Sequence, residues 1–206
     1  MEEKEIHDDL AAIRGLMERS SKFISLSGLS GILAGIYALV GAYFAYRIVY
    51  QGTSRIYTSL EAGEYPQPLY ELIVIAVAVL VLSVVTGVIL SNRQAKRKGQ
   101  PMWGKISQSL LFHMATPLMA GGILILILII RGYYGIVAPA SLIFYGLSLV
   151  SASNFTFTDV KYLGLCEIAL GLIAACLPGY GLLFWAFGFG VLHIIYGSMM
   201  YLKYDR

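Results

Sequence analysis

The chain has 206 residues, 58% of them hydrophobic and only 13% charged, with a mean hydropathy of +0.72. A soluble domain of this length carries about a quarter charged residues, so these values exclude an ordinary soluble enzyme and point to a membrane protein. Lys and Arg (15) exceed Asp and Glu (12) only slightly. Those charges lie between apolar runs, which makes them a topology signal and not a nucleic-acid surface.

The first 22 residues, "MEEKEIHDDLAAIRGLMERSSK", are charged throughout and do not read as a cleavable signal peptide. Ile6, Leu10, Ile13 and Met17 recur at helical spacing. A short amphipathic cytoplasmic helix is expected here, lying on the membrane surface or docking a cytoplasmic protein partner. Residues 23–206 form the second unit, the transmembrane domain.

A helix needs about 20 mostly apolar residues to cross the hydrocarbon core. Six runs qualify, at about 23–50, 69–90, 106–130, 136–154, 162–177 and 181–202. The fourth is broken early by Pro139, and the fifth is short. Only "PGYG" (Pro178–Gly181) separates the last two, a turn signal that predicts a tight antiparallel hairpin. The expected fold is all-α: a six-helix polytopic membrane bundle preceded by the amphipathic helix.

Orientation follows from the basic residues. Lys4, Arg14, Arg19 and Lys22 precede the first span, and Arg93, Lys96, Arg97, Lys98 and Lys105 lie between the second and third. Lys161 precedes the fifth span, and Lys203 and Arg206 follow the sixth. Arg47, Arg55 and Arg131 fall on the other side. This asymmetry predicts both termini in the cytoplasm.

The stretch Met17–Tyr43, "MERSSKFISLSGLSGILAGIYALVGAY", resembles the start of small uncharacterised bacterial membrane proteins. The resemblance covers the first span and little more; it implies a place in a bacterial inner membrane and no activity.

Within the spans, small residues mark packing faces. Ser27, Gly31, Gly35, Ala38 and Ala42 share one face of the first span, where they let a neighbouring backbone approach closely. Gly31 and Gly35 are the expected helix-packing positions. The second span has no acidic or basic residue beyond Glu71 near its start and is expected to face lipid widely. Cys166 and Cys176 are ten positions apart in one run, too far to bridge, and read as small buried thiols.

Ionisable residues inside spans face the bundle interior, because lipid offers them no partner. His113 shares a face with Ser109, Thr116, Pro117 and Gly121 on the third span, and Pro117 is expected to kink it. Glu167 shares a face with Gly164, Gly171 and Ala174, and His193 with Ala186, Gly190 and Gly197. Tyr145, Ser148 and Ser151 form a weaker polar stripe on the fourth span. Counted from the cytoplasmic ends, His113, Glu167 and His193 fall in one layer roughly 7–14 Å deep. An intramembrane polar pocket of His113, Thr116, Glu167 and His193 is therefore expected. His113, Glu167 and His193 offer two imidazoles and a carboxylate, a donor set suited to a divalent transition metal, or a proton-coupled hydrogen-bond network. The bland alternative is that each bonds only a neighbouring helix.

No catalytic or phosphate-binding motif is present. Three readings follow. The chain is a non-catalytic sensor or accessory subunit, a transporter for a small solute, proton or metal ion, or a metal- or haem-dependent membrane enzyme. The first requires the fewest absent features. No cofactor is expected under it, while a transition metal or haem belongs to the others. The bilayer is the expected partner, no nucleic acid is, and homo-oligomer formation stays open.

Overall fold

The computed structural model describes residues 27–51, 67–99 and 103–205. The amphipathic helix expected over residues 1–22 lies outside them, as does most of the segment joining the first two spans. Among the described residues the chain is all-helical.

Six helices follow in order. They are α1 (Gly28–Gln51), α2 (Gln67–Arg97), α3 (Lys105–Ile130), α4 (Val137–Ala152), α5 (Asp159–Cys176) and α6. The last runs without a break through Gly181–Trp185, Ala186–Leu192, His193–Met200 and Tyr201–Asp205, and its second and fourth segments are π-helical. Five of the six, all but α5, are long and apolar enough to cross a membrane. The 18-residue α5 carries Asp159, Lys161 and Glu167 and so falls short on charge. Its rise of about 27 Å nonetheless approaches the thickness of the hydrocarbon core.

Several boundaries differ from expectation for physical reasons. Helix α2 continues past Leu90 to Arg97, so Arg93, Lys96 and Arg97 lie on its last turns and not in a loop. Basic side chains there suit the negative end of the helix dipole. Pro139 does not break α4 but sits in its first turn, where a missing N–H leaves no bond unmade. Helix α3 runs through Pro117 from Lys105 to Ile130. Both cysteines are exposed on α5, contrary to the buried thiols expected, because the buried face is taken by Gly164, Glu167, Gly171 and Ala174.

Neighbour order is set by close backbone approach. Helix α1 lies between α2 and α6; α4 packs on α3 and α5; α6 meets α4 and α5 through its first half. On the α1–α6 seam, a Cβ at Gly31 would lie 3.1 Å from the Gly197 Cα, and one at Gly35 would lie 2.6 Å from the Gly190 carbonyl. On the α4–α5 seam, Gly146 and Gly164 face each other, and a Cβ on either would lie within 2.7 Å of the other's carbonyl oxygen. A Cβ at Gly35, Gly146 or Gly164 would force backbone to shift, whereas at Gly31 the neighbour would have to give by only a few tenths of an ångström. The most apolar window of α2 has no buried residue, matching a helix widely open to lipid.

Contacts between helix ends define two sides. On one, Lys203 Nζ and the Tyr204 hydroxyl both donate to Asp159 Oδ2 at 2.9 Å. Lys98 Nζ reaches the Tyr204 carbonyl at 3.4 Å. The ends of α2 and α6 thus meet the start of α5. On the other side, the Tyr50 hydroxyl donates to the Gly179 carbonyl at 3.1 Å, which sets the end of α1 beside the α5–α6 turn.

Candidate functional site: a buried Tyr–His–Glu cluster

Where α4, α5 and α6 meet, three polar side chains converge. Glu167 of α5 is fully buried, and its Oε1 lies 3.4 Å from His193 Nδ1 on α6. His193 Nδ1 is also 3.0 Å from the Gly188 carbonyl, and Nε2 is 2.8 Å from the Tyr145 hydroxyl of α4. A carbonyl can only accept, so Nδ1 carries a proton and donates it to Gly188. In the neutral ring Nε2 then accepts from Tyr145 O–H. Ser148, one turn on from Tyr145, is also fully buried and donates to the Tyr145 carbonyl at 2.8 Å.

Local sequence explains each placement. Gly164, Glu167, Gly171 and Ala174 repeat at helical spacing, and the glycines draw α5 against α4. Gly188 gives the carboxyl room: a Cβ there would overlap Glu167 Oε2 and crowd Leu142. The π-helical turn Ala186–Leu192 ends immediately before His193, and the imidazole folds back onto a carbonyl five residues earlier. Such turns are common at functional positions. Phe189 closes the ring side, with its centroid 4.9 Å from Tyr145 and 5.9 Å from His193.

Both Glu167 oxygens are buried without a hydrogen-bond partner among the described residues. A bare carboxylate in such surroundings is heavily penalised. Two arrangements relieve it: a carboxylic acid beside neutral imidazole, or a carboxylate beside imidazolium. They hold the same number of protons; in the second the added proton sits on Nε2, so the bond with the Tyr145 hydroxyl reverses and the tyrosine accepts.

The four-residue pocket expected from depth is not what the structure brings together. Glu167 and His193 meet; His113 and Thr116 lie elsewhere. The exposed His113 bonds the Ser109 carbonyl at 2.8 Å through Nδ1, and its ring lies 4.6 Å from that of Phe155. Thr116, also exposed, donates to the Phe112 carbonyl at 2.9 Å. The reason is neighbour order: α3 packs on α4 with Gly121 against Phe144, but His113, near the start of α3, lies by Phe155 just past the end of α4, while Tyr145 sits ten residues back, roughly 15 Å along the chain. With His113 displaced, no three His, Cys, Asp or Glu residues converge on a metal position among the described residues. Tyr145, expected only as part of a weak stripe, takes the third place, and Gly188 the fourth.

No family model, no curated protein and no solved structure matches this chain.

Proposed function

We propose that the chain is a bacterial inner-membrane protein that crosses six times with both termini in the cytoplasm. In this reading it is a non-catalytic sensor or accessory subunit. Its conformation is set by the protonation of the Tyr145–His193–Glu167 cluster, and residues 1–22 pass that state to a cytoplasmic partner. Lys98, Lys161 and Lys203 gather on the side where α2 and α6 end and α5 begins. Arg47 lies near the opposite end of α1. That distribution supports a cytoplasmic side for the basic group, and α5 completes the sixth crossing.

One observation carries the functional reading. Glu167 is fully buried, and neither of its oxygens has a hydrogen-bond partner among the described residues. A stability-optimised helix would hold Leu or Gln there; an ionisable residue in a span is a functional feature by default. Zero exposure closes the site to a solute in this conformation but not to a proton.

The test compares partner capture from native membranes by the full chain, by a chain lacking residues 1–22 and by Glu167→Gln. A partner held by the full chain and lost from both variants is the expected result. The second reading, a proton-coupled transporter, is favoured by the same buried carboxyl. Proton uptake into proteoliposomes that Glu167→Gln abolishes, without any captured partner, would replace the first reading with the second.

A further inference from the structure

A second feature lies apart from the buried cluster. Between the start of α1 and the end of α2 is a groove of about 430 Å³, lined by Ser27, Leu29, Leu90, Arg93, Gln94, Lys96 and Arg97. Arg93, Lys96 and Arg97 are three and four residues apart, so one face of α2 presents all three cations. The ion pairs found among the described residues join His193 to Glu167 and Lys203 to Asp159; neither neutralises this group. No carboxylate is among the described residues lining the groove.

The geometry points to a binding site for the phosphate of an anionic phospholipid headgroup. Three features fit that occupant together. The volume is that of a small-molecule site. The cations supply two guanidinium forks and an ammonium, suited to phosphate oxygens. Leu29 and Leu90 form apolar walls, and the flank of α2 that carries Arg93 and Lys96 runs on as an exposed apolar surface through Ile89, Val85 and Leu82, at three- and four-residue spacing. An acyl chain can follow that surface while the phosphate stays with the cations, an arrangement typical of basic pockets between spans. A free phosphate has no use for the apolar half. This assignment is independent of the buried Tyr145–His193–Glu167 cluster.

The test uses the full chain in a neutral detergent, titrated with short-chain phosphatidylglycerol, with phosphatidylcholine of the same chain length and with inorganic phosphate. Phosphatidylglycerol is expected to bind at least about tenfold more tightly than phosphatidylcholine. Arg93→Gln, Lys96→Gln and Arg97→Gln should each weaken it about fivefold, with phosphatidylcholine unchanged. Arg131→Gln, at the far end of α3, should leave both unchanged. All three groove cations are exposed, so the single variants should keep the wild-type unfolding midpoint. Equal binding of the two lipids overturns the site, and so does a preference that survives all three substitutions. Inorganic phosphate competing as well as phosphatidylglycerol would overturn the lipid assignment.

Discussion

The carboxyl of Glu167 rests on the Cα of Gly188, so closely that a methyl group on residue 188 would overlap Oε2. The backbone of α6 and the acid of α5 are therefore fitted to each other. Gly188→Ala is expected to destabilise the protein by about 1–3 kcal/mol, the usual cost of overpacking. Pairing it with Glu167→Ala should recover most of that loss. Thermal unfolding of the two single variants and the double variant in detergent gives the coupling directly; additive effects would mean that the two residues do not touch.

Glu167→Leu should raise stability. It removes two buried oxygens that lack partners, each carrying a desolvation penalty of about 1–3 kcal/mol, and supplies an apolar chain of similar size. Glu167→Gln keeps a polar end and should stay near wild type. An unfolding midpoint for Glu167→Leu well below wild type would show that the carboxyl has partners in the working protein.

Glycines along the spans should sort by what surrounds them. A Cβ at Gly35 would press on the Gly190 carbonyl and the Ile194 backbone, whereas Gly87 and Gly122 have open space. Gly35→Ala is expected to lower the unfolding midpoint clearly. Gly87→Ala and Gly122→Ala should be neutral or stabilising by up to about 1 kcal/mol, since alanine is the better helix former. Equal behaviour of all three variants would mean that α1 does not pack on α6.

The tie between α5 and α6 should be sensitive to acid. Partial burial pushes the Asp159 carboxyl up, but hydrogen bonds from Lys203 and Tyr204 and the Lys203 charge outweigh it and hold it below the ordinary carboxylate range. A depressed folded value means the tie contributes fully above the unfolded value near 4 and is lost as pH falls through the folded one. The wild-type advantage over Asp159→Asn should therefore shrink below about pH 4. An advantage constant from neutral pH down to about pH 3 would rule this out.

The helices were legible wherever an apolar run was sustained, and Glu167 and His193 were legible because an ionisable group in a span usually turns inward, a rule that the exposed His113 does not follow. Gly31 and Gly35 stood out through the same spacing logic, and they lie against Gly197 and Gly190. His113 was misplaced because counting residues from a membrane boundary gives height in the bundle but not which helices are neighbours. Tyr145 left little trace, since a tyrosine within an apolar span reads as core. Gly188 is one of 22 glycines and carries no mark of its own. Its role depends on a local change of helix type that a regular 3.6-residue repeat cannot reveal.

That change of type alters the phase of α6. A π-turn holds about one residue more than an α-turn, so the helix beyond it is rotated by roughly 100° relative to an uninterrupted α-helix. The segment before the turn, Gly181–Trp185, touches α4, α5 and α1, whereas the segment after it, His193–Met200, packs chiefly on α1. One extra residue of backbone thus changes, partway along a single helix, which of its faces meets the neighbours. A chain shortened by one position within Ala186–Leu192 would turn His193 out of register with Glu167 while leaving every side chain of the cluster in the protein.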